Sequence, residues 1–245
     1  MNNKIATTLS LFALLIISTN VVFAQKNIET QDLIWTRYSL KLKIKDPYQI
    51  KQELEERTYW FPWRQHQFLS RTLLERKLAQ GWSAALGITY SMQSLPNDPT
   101  IRITENITEL RPQVEISYNQ ILSDKISLNH RYWSEFRFFE QSDNSFDYSN
   151  NRTRYKLELG YTPSSKITLK IYDEILLNIG GNIVHNVFNQ NRYGASIQYM
   201  PVENFGVELS YFNSFQERPS GVDFYNRNII RFTIHQTINL KKPKI

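Results

Sequence analysis

Polar and apolar positions alternate with a period of two over long stretches of this chain. From residue 34 one set reads Ile34, Thr36, Tyr38, Leu40, Leu42 and Ile44, and the interleaved set reads Trp35, Arg37, Ser39, Lys41, Lys43 and Lys45. Successive side chains of a strand point to opposite faces, so this segment predicts a strand with one greasy and one charged face. The split recurs. Trp82, Ala84, Leu86, Ile88 and Tyr90 alternate with Ser83, Ala85, Gly87, Thr89 and Ser91. Tyr155, Leu157, Leu159 and Tyr161 alternate with Arg154, Lys156, Glu158 and Gly160. Tyr193, Ala195, Ile197 and Tyr199 alternate with Arg192, Gly194, Ser196 and Gln198, and Ile230, Phe232 and Ile234 with Arg231, Thr233 and His235.

Turn signals punctuate these runs at Asp46-Pro47, Ala79-Gln80-Gly81, Ser123-Asp124-Lys125, Pro163-Ser164-Ser165 and residues 201–204, about 34 to 44 residues apart. Longer polar segments fall between them, at 60–65, 92–107, 141–151, 179–189 and 217–226. A repeat near forty residues also describes a β-propeller blade, but a blade packs four short strands into that length. Here each repeat holds two runs of about 12 to 15 residues, long for a globular protein and suited to a tilted strand that crosses a bilayer. The pattern predicts an all-β fold: an up-and-down antiparallel transmembrane β-barrel of about 10–12 strands, with short turns at one end and long loops at the other. Aromatic residues at the run ends, among them Trp60, Trp63, Trp82, Tyr161, Tyr199 and Phe205, match two interfacial girdles.

Two features strain the pattern. Eleven runs are counted, whereas an even number is usual. Either a short strand at 26–31 closes the barrel or one run is wrongly assigned. Asp173 falls on the apolar phase of Ile167, Leu169 and Ile171, which predicts a bulge or register change nearby.

Composition adds location. Lys4, an apolar core over residues 9–17 and the sequence Val22-Phe23-Ala24 form a signal peptide over 1–24, leaving 25–245 as one barrel domain. The rival reading, an uncleaved anchor, is interrupted by Thr7, Thr8, Ser10, Ser18, Thr19 and Asn20. The expected destination is the cell outer membrane. There is no cysteine, so disulfides and thiolate metal sites are excluded. The net charge of +6 falls to +5 when Lys4 leaves, and basic residues are spread rather than clustered, which argues against nucleic-acid binding. Aromatics reach 13% while mean hydropathy is negative, a combination that a polar lumen and an apolar exterior reconcile.

The order of Asp32-Leu33-Ile34-Trp35, Glu53-Leu54-Glu55-Glu56-Arg57, Glu109-Leu110-Arg111-Pro112, His130-Arg131-Tyr132, Arg154-Tyr155-Lys156-Leu157, Asp173-Glu174 and Asn189-Gln190-Asn191-Arg192-Tyr193 resembles the domain of unknown function 2490 family of Bacteroidetes outer-membrane β-barrel proteins. The resemblance spans nearly the whole mature chain. It implies an outer-membrane barrel and no catalytic residues. The chain departs from the common barrel ending on an aromatic residue, since Asn239-Leu240 and five further residues close it.

Candidate functional residues are the charges on the inward phase: Arg111, Glu115, Arg131, Glu135, Arg137, Arg154, Glu158, Glu174, Arg192, Glu208 and Arg231. They read either as an ion-pair network filling a narrow barrel or as the lining of a polar channel that selects solutes. A third class, a membrane enzyme, finds little to stand on. His66 with Ser70 and His130 with Ser134 each share a strand phase, but four residues of extended chain separate them by about 13 Å. His185 falls in a predicted loop, and no H-E-x-x-H, G-x-S-x-G or phosphate-binding loop occurs. The segment 92–107, with Pro96, Asn97, Asp98 and Pro99, is the loop most suited to binding a partner at the surface. No catalytic, metal or cofactor site and no obligate protein partner is expected; the expected partners are outer-membrane lipid and the barrel assembly machinery.

Overall fold

The computed structural model describes residues 26–101 and 105–240. The signal peptide expected at 1–24 and the tail 241–245 lie outside the described residues. The long alternating runs become eleven strands: β1 (Asn27–Lys45), β2 (Tyr48–Tyr59), β3 (Arg64–Lys77), β4 (Trp82–Leu95), β5 (Glu105–Ser123), β6 (Ile126–Glu140), β7 (Phe146–Ser164), β8 (Ile167–Ile179), β9 (Phe188–Val202), β10 (Phe205–Glu217) and β11 (Asp223–Asn239). Each strand pairs with its sequence neighbours, and β1 pairs with β11 to close the barrel. No described helix is long and apolar enough to cross a membrane.

Closure corrects the parity expectation. Among the described residues the barrel has eleven strands, and the seam between β1 and β11 is parallel, their single departure from an antiparallel sheet. Residues 27–31 are not an extra strand but the front of β1, paired with Asp223 to Arg227. The start of β1 and the end of β11 therefore lie at opposite ends of the barrel. Asn27 N donates to Val222 O at the loop end, and Leu240 N donates to Lys43 O at the turn end.

The register explains why an odd count does no harm. One row of partners runs from Lys43 through Gln49, Glu75, Ala85, Glu115, Trp133, Arg154, Leu176, Gln190, Gln216 and Tyr225, and returns to β1 at Glu29. The row comes back displaced by fourteen residues, from 43 to 29. An even displacement returns inward residues to inward residues, so the two faces match across the seam. With usual strand spacings, this shear gives a tilt of about 42° and a backbone radius of about 11 Å. That interior is narrow enough for side chains to fill.

Outward positions carry an exposed belt that includes Leu86, Ile116, Tyr132, Ile171, Tyr193, Ile197, Leu209 and Phe232. Inward positions carry the charges and a small apolar core of Leu33, Trp35, Tyr59, Phe212 and Ile229, with Tyr172 against it. Gly194 faces inward between Tyr172 and Phe212 in register. A side chain there would overlap Phe212 and the backbone of Tyr211, so a bare backbone gives the ring its seat.

Three further expectations change. The strands run further into the predicted loops than polarity indicated, so the described loop-end connections shrink to 60–63, 141–145, 180–187 and 218–222. Backbone pairing continues through polar residues such as Asn106, Asn150 and Asn226 because the ladder does not depend on side-chain polarity. A register shift does lie near Asp173, between Leu176 and Leu177, but it does not change the face of Asp173, which stays outward between Ile171 and Ile175. The Asn191 amide donates to both carboxylate oxygens, at 3.0 and 3.1 Å, and so gives the carboxylate hydrogen bonds in place. That shift, in the β8–β9 pairing, instead turns Asn189 and Gln190 both inward. Finally, a bulge beside Arg57 and Thr58 turns His66 inward next to Gln67. His66 and Ser70 therefore face opposite sides, and Ser70 accepts from Gln52 at 3.1 Å on the outer face.

Candidate functional site

The lumen is built from the inward residues of all eleven strands. A register row climbs towards the loop end by about 3 Å per strand, so residues at one height come from successive rows. The middle layer takes one residue from each strand: Trp35, Glu55, Arg71, Thr89, Gln113, Trp133, Arg154, Glu174, Arg192, Phe212 and Arg231. Their contacts follow the ring. Arg71 and Arg154 lie 4.3 and 4.0 Å from the Trp133 ring centroid, and Arg192 lies 5.5 Å from that of Trp35. Trp35 meets Phe212 edge-on at 5.1 Å, and Arg231 lies 5.3 Å from the Phe212 ring. Thr89 bridges the other side, accepting from Arg71 Nε at 3.2 Å and donating to Gln113 at 2.8 Å.

Carboxylates tie this layer to those above and below. Glu174 takes a forked pair of bonds from Arg154 Nη2, at 2.8 and 2.9 Å, and one from Arg131 at 3.0 Å. Glu135, fully buried at 0% exposure, accepts from Arg152 Nε at 2.7 Å and Nη2 at 2.6 Å, with Arg154 and Arg111 at 3.7 and 3.9 Å. Glu109 bridges Arg111 at 2.6 Å and Arg137 at 2.5 Å. Glu55 takes Arg57 through Nε at 2.7 Å and Arg37 through Nε at 2.6 Å. Nearer the turn end, Glu208 pairs with Lys170 at 2.8 Å and contacts His235 at 3.1 Å, while Lys156 pairs with Glu158. Glu115 is buried and accepts from Ser117 at 3.3 Å.

Inside this wall lies a cavity of about 170 Å³. Among the described residues, eleven arginines and Lys156 line it, and Glu174 is the one carboxylate that does. Six of the arginines and Glu174 come from the eleven charges read off the alternation: Arg111, Arg131, Arg137, Arg154, Arg192 and Arg231. The other four of that set, Glu115, Glu135, Glu158 and Glu208, stand back from the cavity. Glu135, Glu158 and Glu208 are held there in ion pairs. The difference is one of reach, since a guanidinium ends further from the backbone than a carboxylate. The lumen consequently has a cationic surface over a mixed wall.

Sequence reading passed over Arg37, Arg57, Arg71, Arg152 and Arg227, which line the same cavity. The period-two signal was available for Arg37, which sits in the charged set of the first run. It also passed over the lumen aromatics Trp35, Trp133 and Phe212, which share the polar phase with the charges. The loop-end mouth is partly covered by residues 96–101. Arg64 donates to the carbonyl oxygens of Pro96, Asp98 and Ile101, and Gln31 donates to that of Asn97 at 2.7 Å. Within this loop the Asp98 carboxylate accepts from the Thr100 hydroxyl at 2.7 Å and amide at 2.9 Å, which holds it below the usual carboxylate range. Among the described residues no group of three or more His, Cys, Asp or Glu side chains is placed to hold a metal ion.

Comparison with solved structures finds the same architecture in the NanC porin, with a TM-score of 0.51 and 12% sequence identity, covering 83% of this chain and 97% of that chain. At that identity the likeness carries the fold alone, a porin-like barrel. Comparison with curated protein sequences gives no match. A family profile described as protein of unknown function (DUF2490) matches residues 33–226, and the chain belongs to that family.

Proposed function

We propose that the chain is an outer-membrane barrel that passes small anionic solutes through its lumen. The observation that carries this reading is the cavity lining, eleven arginines and Lys156 against Glu174 alone. A lumen with fixed cationic tips lowers the energy of an anion inside it and raises that of a cation. The outward apolar belt supports a lipid environment, and strands of 12 to 19 residues exceed what a tilted crossing requires. Residues 1–24 read as the export signal, so the protein isolated from the outer membrane should begin at Gln25. Recovery in the soluble fraction, or without a heat-dependent change in gel mobility, would remove the membrane reading.

The apolar cluster of Leu33, Trp35, Tyr59, Phe212 and Ile229 favours a second reading, a barrel that binds within its lumen without conducting. Planar bilayers separate the two. Steps of conductance from folded protein support the pore, and their absence supports the closed binding barrel.

A further inference from the structure

One wall of the lumen carries arginines that the ion-pair network holds only loosely, Arg192 through Glu174 at 3.9 Å and Arg231 through the more distant Glu55 and Glu208. Arg231 has no hydrogen bond or ion pair among the described residues, and its Nε is buried without an acceptor. Arg192 donates through Nε to the Gln190 side chain at 2.7 Å, and its nearest carboxylate, Glu174, is 3.9 Å away. Trp35 is Arg231's register partner across the seam and lies beneath Arg192. It is 3% exposed, and its Nε1 is also buried without an acceptor. All three line the same cavity.

The two unsatisfied atoms, Arg231 Nε and Trp35 Nε1, are both donors, and Arg192 beside Trp35 adds a second cation. A buried donor without an acceptor costs about 1–3 kcal/mol, more when charged. Water can satisfy the hydrogen bonds, but it brings no counter-charge. Neutral sugars or amino groups would fit less well, since they bring donors of their own or the wrong sign. We infer that Arg192, Arg231 and Trp35 form a binding subsite for the oxyanion group of a small solute, a carboxylate or a phosphate, reached from the lumen. The inference rests on the anion-pore reading and adds a fixed station within it.

The test uses the full chain folded in detergent, with unfolding followed by tryptophan fluorescence and by heat-dependent gel mobility. Sodium phosphate and sodium acetate are titrated separately, with ionic strength held constant by sodium chloride. The subsite predicts a saturable rise of the unfolding midpoint, about 5 °C at saturation, with at least one of them. A response to phosphate alone assigns phosphate-bearing solutes, to acetate alone carboxylates, and to both the shared oxyanion. Arg231→Gln and Arg192→Gln should abolish saturation. Trp35→Phe keeps the ring and loses the donor, and should raise the half-saturating concentration about fivefold. No saturable shift over chloride in the unaltered chain would overturn the subsite. So would an unchanged half-saturation in Trp35→Phe, which decides the matter if the arginine variants fail to fold. Anion-selective current without saturable binding removes the subsite and leaves the pore; saturable binding to a barrel that never conducts removes the pore and leaves the subsite.

Discussion

The β5–β8 wall and the β9–β11 wall of this lumen present the same residue type in two different states. On β5–β8 every lumen arginine has a carboxylate: Arg111 and Arg137 meet Glu109, Arg152 meets Glu135, and Arg131 and Arg154 meet Glu174. On β9–β11, among the described residues, Arg227 donates to the amide oxygens of Gln31 and Gln216 and lies over the Tyr225 ring, Arg192 has no carboxylate closer than 3.9 Å, and Arg231 has no ion pair. The first wall consumes its charge in holding the barrel's interior together. The second leaves its charge available, and the cavity inherits it. A buried arginine is thus structural or functional according to which strands lie opposite it, not according to its own position on a strand.

The largest expected effect tests the paired wall. Glu135→Gln removes the carboxylate that Arg152, Arg154 and Arg111 share, leaving buried guanidiniums uncompensated. It should cost about 3 kcal/mol in urea refolding into lipid vesicles. Arg231→Gln should change stability by less than about 1 kcal/mol, since it breaks no pair. Equal losses in the two variants would erase the distinction between the walls. A smaller effect sharpens the outer face. Asp173→Leu removes a carboxylate from the apolar belt and should stabilise the barrel by about 1 kcal/mol, measured in the same refolding assay. Destabilisation instead would mean that the Asp173–Asn191 contact contributes more than the carboxylate costs. The smallest effect concerns the mouth. Arg64→Ala releases residues 96–101 from three carbonyl contacts and should raise proteolytic nicking of that loop several-fold, with little change in refolding.

Much of the barrel was legible because alternation is local. Arg154, Lys156 and Glu158 share one phase, and Tyr155, Leu157 and Leu159 share the other, as two faces of β7 require. What was not legible depends on how strands meet. Arg131 and Glu174 are 43 residues apart and come together only through the register and tilt of the sheet. Strand parity looked like a fault because the sequence does not reveal that a parallel seam with an even shear closes the barrel. The bulge that turns His66 inward, the outward position of Asp173 and the extension of strands into polar segments are likewise pairing effects. Leu33, Leu176, Phe212 and Ile229 sit among the charges of the lumen, where a rule of apolar outward and polar inward does not place them.

The unpaired arginines of β9–β11 should make the lumen selective, and the reversal potential across a planar bilayer measures that directly. With a tenfold gradient of potassium chloride, the protein should give a reversal potential of the sign for chloride preference. Scaling both compartments up at the same tenfold ratio, with the concentrated side at about 1 M, should shrink it as screening on that side shortens to about 3 Å. A reversal potential of the opposite sign, or folded protein that conducts nothing, would contradict the account.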